Sequence, residues 1–325
     1  MRMTIVSINK LLSSELEALD GQLKARSQTK VEMINTLSDH IISSGGKRLR
    51  PIVLMLSAYA SDPKAQEKVI DASVVVEFIH AATLLHDDVV DMSKIRHSKD
   101  TANIIFGNQA SVLIGDFLYS RAFQMMVKLD EMKVLRVLAD TTNTIATGEV
   151  MQLINIHDPD IDEENYTQVI YRKTACLFEA SGHAAAILAN SDEKARLAMI
   201  EYGKQLGIAF QLIDDALDYS ASSEILGKNL GDDLAEGKPT LPIIYAIKNS
   251  SQTEKNIIQK AIKNGDLTKL SIIQEIIKST GAIKYTVMRA QQAADSAIKA
   301  SSMLPESSYK EALISIANFA VQRQN

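Results

Sequence analysis

Along nearly the whole chain, apolar residues recur three and four positions apart, while the strict apolar–polar alternation of a half-buried strand is scarce. That pattern predicts an all-α fold. An opening amphipathic segment puts Ile5, Ile8, Leu12, Leu16 and Leu19 on one stripe, and a second spans roughly Val31 to Ile42; both read as packing elements. Helical patterns then run from about Lys68 to Val90, Gln109 to Lys128, Lys133 to Ile154, Tyr166 to Ala189 and Lys194 to Tyr219. Shorter amphipathic helices follow from Leu241 onward. A polar loop is expected from Met92 to Asn103, and the Gly- and charge-rich run Gly227–Pro239 has the composition of a mobile lid or ligand loop.

Two of these helices end in an acidic cluster. Leu84-Leu85-His86-Asp87-Asp88-Val89-Val90-Asp91 closes the Lys68–Val90 segment, and Gln211-Leu212-Ile213-Asp214-Asp215-Ala216-Leu217-Asp218 closes the Lys194–Tyr219 segment. On a helix Asp87 and Asp91 share a face, with Asp88 turned by about 100°. Carboxylates at a helix C-terminus oppose the helix dipole, and like charges at that spacing repel. Both facts favour a bound cation. Solvated acidic helix ends are the bland alternative, but the recurrence of the spacing, each time behind an apolar lead-in, makes it a poor one. Magnesium, a hard ion that takes one or two carboxylates plus substrate phosphate oxygens, suits such clusters. Two helices ending in the same charge pattern are expected to face each other across a cavity.

A polyphosphate partner also requires cations from the protein. Gly45-Gly46-Lys47-Arg48-Leu49-Arg50-Pro51 places basic residues where glycines end one helix and proline begins the next, so Lys47 and Arg50 sit beside free backbone N–H groups. Arg96 follows the first acidic cluster, Lys228 and Lys238 bracket the loop after the second, and Lys173-Thr174 interrupts an apolar helical stretch. Salt bridging and a snorkelling lysine are the plain readings of these residues. No Ser-His-Asp arrangement is recognisable, and no thiol neighbours a histidine, so covalent catalysis is not indicated. The chemistry implied is metal-assisted departure of diphosphate, leaving a carbon electrophile in an apolar cavity.

Composition narrows the setting. The 325 residues fit one large domain or two, and 46% apolar against 23% charged is ordinary globular usage. A formal net charge of −5 without a long Lys/Arg block argues against nucleic acid as the main partner. The N-terminal residues carry no export pattern, and Val69 to Leu85, the best spanning candidate, is broken by Asp71, Glu77 and His80. Cys176 is the single cysteine, which excludes an intrachain disulfide and makes a cytoplasmic location the natural expectation.

The Gly-Gly-Lys-Arg-Leu-Arg-Pro run, the two Asp-Asp-x-x-Asp motifs and Gly227-Lys228-Asn229-Leu230-Gly231-Asp232-Asp233 together resemble the trans-isoprenyl diphosphate synthases, over about residues 30 to 245. Within that family Glu77–His86 and Phe106–Ser111 are most similar to octaprenyl and other long-chain polyprenyl diphosphate synthases. The resemblance implies one all-α synthase domain over residues 1–325, a bundle around a deep central cavity, and a homodimer that extends an allylic diphosphate such as farnesyl diphosphate with isopentenyl diphosphate. It assigns Asp87, Asp88, Asp91 and Asp214 to the Mg2+ ions, with Asp215 and Asp218 completing the second motif. Lys47, Arg50 and His80 match the isopentenyl diphosphate site. Arg96, Lys173, Thr174, Gln211, Lys228 and Lys238 match contacts to the allylic diphosphate, and Lys173 counts also among the catalytic residues. A quinone ring, as in ubiquinone biosynthesis, is the implied acceptor of the finished chain, and membrane contact is at most peripheral.

The chain departs from the family at one point. Where a second arginine normally helps to bind isopentenyl diphosphate, the run reads Arg96-His97-Ser98. Histidine is mostly neutral at physiological pH and makes no bidentate fork, so weaker binding that strengthens toward about pH 6 is expected, unless Lys99 substitutes. A second point bears on product length. Short-chain relatives place a bulky aromatic five residues before the first aspartate; here that residue is Ala82, with Thr83 and Ile79 also assigned to chain length. A small residue one turn, about 5.4 Å, below the metals leaves the cavity open for a long product. A terpene cyclase or head-to-head synthase is the enzymatic alternative, and a non-catalytic prenyl-diphosphate-binding subunit is the alternative from another class.

Overall fold

The computed structural model describes residues 3–43, 46–65, 67–96, 99–220 and 231–322. Among them the all-α expectation holds, with one exception, a two-stranded hairpin. The order opens with α1 (Ile5–Leu11), α2 (Ser13–Ser27), α3 (Glu32–Ser43), α4 (Leu49–Ser61) and α5 (Glu67–Val90). The hairpin β1 (Ile95–Arg96) and β2 (Lys99–Asp100) follows, pairing Ile95 with Asp100 and Arg96 with Lys99. Then come α6 (Ala102–Phe106), α7 (Asn108–Leu129), α8 (Met132–Asn155), α9 (Glu163–Ile170), a π-helical turn at Tyr171–Ala175, α10 (Cys176–Leu188) and α11 (Glu193–Ser220). The chain closes with α12 (Asp232–Ala235), α13 (Leu241–Asn249), α14 (Gln252–Asn264), α15 (Leu270–Ser279), α16 (Ala282–Ser301) and α17 (Ser308–Gln322). The packing divides these into two compact units, one made of Met1–Thr142, Leu177–Gly203 and Ala300–Ile316, the other of Asn143–Cys176, Lys204–Lys299 and Ala317–Asn325.

In the first unit α5 is the central element. Val69, Ala72, Val74, Val75, Val76, Phe78, Ile79, Ala82 and Leu85 are fully buried, so apolar residues surround the helix instead of forming one stripe. Neighbours on several sides explain this, because α5 packs on α2, α4 and α7. Residues Lys68–Val90 are long and apolar enough to cross a membrane, yet 67% of an 18-residue apolar segment within them is buried in the protein. The α5–α7 contact is close because Gly115 lacks a side chain: a Cβ there would stand 2.2 Å from Nε2 of His86. His86 thereby packs beside α7 next to the first acidic cluster.

In the second unit the C-terminal half of α11 shares a core with α9, α13 and α16 through Tyr166, Ile170, Leu212, Ile213, Leu217, Leu241, Ala290 and Ala294. A second core, with Tyr219, Leu234, Ile243, Ile258, Ile262 and Ile276, joins α13, α14 and α15.

Three local features differ from the sequence reading. The opening segment is two helices, with Leu12 as the turn between them, although Ile8, Leu12 and Leu19 are buried as expected. The Met92–Asn103 loop contains the hairpin, too short for alternation to show. The helix expected from Tyr166 to Ala189 is broken by the π turn, which holds Lys173 and Thr174. Such turns insert one residue into the hydrogen-bond ladder and frequently mark functional sites.

Candidate active site

The first acidic cluster divides as its helical spacing demands. Asp87 and Asp91 are half-buried on one side of α5, while Asp88 turns inward and is 1% exposed. An isolated carboxylate at that depth is costly, and Arg96 on β1 answers it, donating from Nε at 3.0 Å and Nη2 at 2.8 Å to the same oxygen, Oδ1. Burial pushes the Asp88 carboxyl above its usual range, and the Arg96 guanidinium opposes that shift. The segments on either side of Arg96 are tied down: Asn103 donates to the backbone carbonyls of Asp88 and Ser93 at 3.0 and 3.2 Å, and His40 Nε2 lies 3.2 Å from the Asp100 carbonyl on β2.

A basic cluster occupies the start of α4. Arg48 caps the helix in a left-handed conformation, φ 50°, which costs energy for a non-glycine residue. Its side chain donates to Glu77 at 2.5 Å and to the Ile42 carbonyl at 2.6 Å. Arg50 lies with Nη1 3.1 Å from His80 Nε2 and its guanidinium 4.5 Å over the Phe178 ring. Arginine can only donate, so Nε2 of His80 is the acceptor. Thr83 donates to the His80 carbonyl at 2.7 Å. Arg48, Glu77, His80, Ala81, Leu84 and Arg96 line one small cleft, and Lys47 is exposed nearby in sequence. Ile79 and Ala82 are fully buried on α5.

In the second unit the aspartates have different company. Asp214 is half-buried, Asp215 is 3% exposed and Asp218 is fully buried. Asp215 accepts from Tyr166 Oη at 2.5 Å on Oδ2 and from Gln211 Nε2 at 2.7 Å on Oδ1; Gln211 Oε1 accepts in turn from Thr174 Oγ1 at 2.8 Å. Asp218 accepts from the Asp233 backbone N–H at 3.2 Å. Burial, with the charge of Asp233 adding, pushes the Asp215 carboxyl up to about 8 against the opposing hydrogen bonds of Tyr166 and Gln211. On the π turn, Lys173 Nζ donates to Glu149 Oε2 at 2.7 Å. The approach of α8 needs Gly148, whose Cβ would come within 2.7 Å of Arg172 Cβ. Lys238 pairs with Glu236.

The structure therefore brings together Arg50 with His80, Arg96 with Asp88, and Thr174 with Gln211 and Asp215. His97 and Lys228 lie outside the described residues, as does Gly45. Asp87 and Asp91, four residues apart, are both half-buried, whereas of the corresponding pair in the second motif Asp214 is half-buried and Asp218 is enclosed. Among the described residues no three His, Cys, Asp or Glu side chains form a ready metal cage. The half-buried Asp87, Asp91 and Asp214 are hard oxygen donors suited to an ion that draws its remaining ligands from water and phosphate. Sequence reasoning passed over Arg48, Tyr166, Asn103 and Glu149; only Glu77 left a trace, as a charge inside an apolar run.

Comparison with known proteins gives this arrangement a context. The model of the polyprenyl synthetase family matches residues 31–280. The chain is 47% identical to the octaprenyl diphosphate synthase of Escherichia coli, over 99% of both chains. It is 45% identical to that of Haemophilus influenzae, over 99% of this chain and 98% of the relative. A polyprenyl synthase from Caulobacter crescentus, solved in complex with calcium and isoprenyl diphosphate, superposes with a TM-score of 0.95 at 40% identity, covering 100% of this chain and 99% of that one.

Proposed function

We propose, from the premise that this chain belongs to the polyprenyl synthetase family and is a prenyltransferase, that it is a long-chain, octaprenyl, diphosphate synthase. It extends an allylic diphosphate such as farnesyl diphosphate by condensation with isopentenyl diphosphate. The observation that carries this is the joint presence of accessible carboxylates at Asp87, Asp91 and Asp214 and of the Lys47–Arg50–His80 group at the head of α4 and the middle of α5.

In this reading Asp87, Asp88, Asp91 and Asp214 hold Mg2+, and Asp215 and Asp218 complete the second motif. Bound magnesium neutralises the diphosphate and makes it a leaving group. Arg96, Lys173, Thr174, Gln211, Lys228 and Lys238 contact the allylic diphosphate, so Arg96 and Lys173 exchange their present carboxylate partners, Asp88 and Glu149, for phosphate oxygens. Lys47 and Arg50 hold isopentenyl diphosphate beside His80, with His97 in the same role. The allylic carbon–oxygen bond breaks with both electrons on oxygen; the isopentenyl double bond attacks the resulting cation; the departed diphosphate takes the proton that restores an alkene. Ala82, Thr83 and Ile79 leave room below the reacting carbon for the growing chain.

The enzyme is read as a cytoplasmic homodimer that works as one synthase domain, with its product destined for a quinone side chain. Leu113 and Val127 on α7 are 65% and 68% exposed, with Val112 and Phe123 also exposed, an apolar surface that suits a second copy.

The test is product analysis with magnesium, farnesyl diphosphate and labelled isopentenyl diphosphate. A ladder ending in one dominant octaprenyl product is expected, and Ala82→Tyr shortens it to a few isoprene units. Magnesium-dependent binding of farnesyl diphosphate without incorporation contradicts the reading and identifies a non-catalytic subunit.

A further inference from the structure

We infer that Tyr166 is a positioning residue for the allylic substrate: its hydroxyl, the Asp215 carboxylate, the Gln211 amide and the Thr174 hydroxyl form one hydrogen-bonded chain whose direction is set at Asp215. The inference rests on the reading that Gln211 and Thr174 touch the allylic diphosphate, and it assigns a task to two side chains that nothing else in that reading requires to be buried.

Tyr166 is 5% exposed at the start of α9 and Asp215 is 3% exposed on α11, so each polar atom needs a partner inside the protein. Tyr166 takes Oδ2 and Gln211 takes Oδ1. A carboxylate offers acceptors only, so the Gln211 amide must turn its NH2 group toward Asp215 and its oxygen toward Thr174. Thr174 in turn donates its proton to that oxygen. A proton on Oδ2 leaves Oδ1 an acceptor, and the order is kept. With a protein donor on each oxygen, Asp215 fixes the orientation of Gln211 and, through it, of Thr174.

Tyr166 stands at the end of this chain farthest from Thr174 in bonding order. Loss of its hydroxyl frees the carboxylate to rotate, and with it the amide that the carboxylate orients. Fixed orientation of this kind lowers the ordering cost of binding, and outer-shell partners of a site are commonly worth 10–100-fold.

The experiment compares the full-length protein with Tyr166→Phe. The measurements are calorimetric Kd for farnesyl diphosphate at saturating magnesium, KM for each substrate, magnesium half-saturation and Tm. Tyr166→Phe is expected to weaken farnesyl diphosphate about 10-fold, with KM for isopentenyl diphosphate and magnesium half-saturation unchanged within about 2-fold. A purely structural tyrosine would lower Tm without that split, and a 10-fold shift in magnesium half-saturation at unchanged farnesyl diphosphate affinity would make Asp215 a metal ligand; either result overturns the inference. If Tyr166→Phe does not fold, Tyr166→Phe with Asp215→Asn replaces the buried carboxyl that has lost its partner. The same loss of farnesyl diphosphate affinity is expected there, and wild-type affinity would overturn the inference. Wild-type protein that binds farnesyl diphosphate yet transfers no prenyl group refutes the proposed function while leaving the comparison of Kd values readable.

Discussion

The two acidic motifs have the same spelling and different physics. In the first, the inward carboxylate of Asp88 is met by a permanent cation, Arg96, from a hairpin strand. In the second, the inward carboxylate of Asp215 is met by two neutral donors, Tyr166 and Gln211, with Asp233 adding negative charge. The outward residues differ as well, since Asp91 stays half-buried whereas Asp218 is enclosed and accepts a backbone N–H. The first motif is thus a charged cluster balanced by an arginine side chain; the second is a hydrogen-bonded group carrying one half-buried carboxylate, Asp214. Sequence spacing fixes which residues share a helix face, but the elements packed against that face decide what each carboxylate can do.

The contrast is easiest to break through activity. Asp87→Asn and Asp214→Asn are each expected to lower kcat/KM about 10³-fold, the scale of losing a key electrostatic element at a developing charge, whereas Asp215→Asn loses roughly 10–100-fold, as outer-shell changes do. Initial rates of isopentenyl diphosphate incorporation decide it, and equal losses at Asp214 and Asp215 would erase the distinction.

Stability gives the next largest difference. Arg96→Ala strands a buried charge and is expected to cost about 3 kcal/mol, the lower end for such pairs because Arg96 is 30% exposed. Tyr166→Phe removes one neutral donor and is expected to cost about 1–2 kcal/mol; urea unfolding of the metal-free protein measures both.

The smallest effect is on pH dependence. Because burial raises the Asp215 carboxyl from its ordinary 3.8 to about 8, the native state holds a proton there that the unfolded chain has released. Stability of the metal-free protein therefore falls as pH rises between those values, by at most about 1.4 kcal/mol per pH unit. Asp215→Asn should flatten that slope, and an unchanged slope would place its origin elsewhere.

Much of this was legible in the residues. Helix periodicity located α5, α7, α8 and α11 to within a residue or two, and the family followed from motifs that stand in consecutive positions. Helical geometry also set Asp88 about 100° away from Asp87, and the packing around α5 makes that side the inward one. Features made by long-range pairing were not legible. Arg48 meets Glu77 across 29 positions and Tyr166 meets Asp215 across 49, and no periodicity encodes such a meeting. The π turn is hidden because its residues continue the helical pattern, and the break at Leu12 because the apolar stripe runs through it. Whether an aspartate four residues from another shares an open face depends on the neighbours of the helix, which is why Asp218 differs from Asp91.

The most direct measurement is the anomalous scattering of manganese in crystals grown with a non-ionising farnesyl diphosphate analogue. Metal is expected to be bound through Asp87, Asp88, Asp91 and Asp214, with the Asp215 carboxyl still held by Tyr166 and Gln211. Manganese coordinated by Asp215, with the Tyr166 hydrogen bond broken, would contradict that expectation.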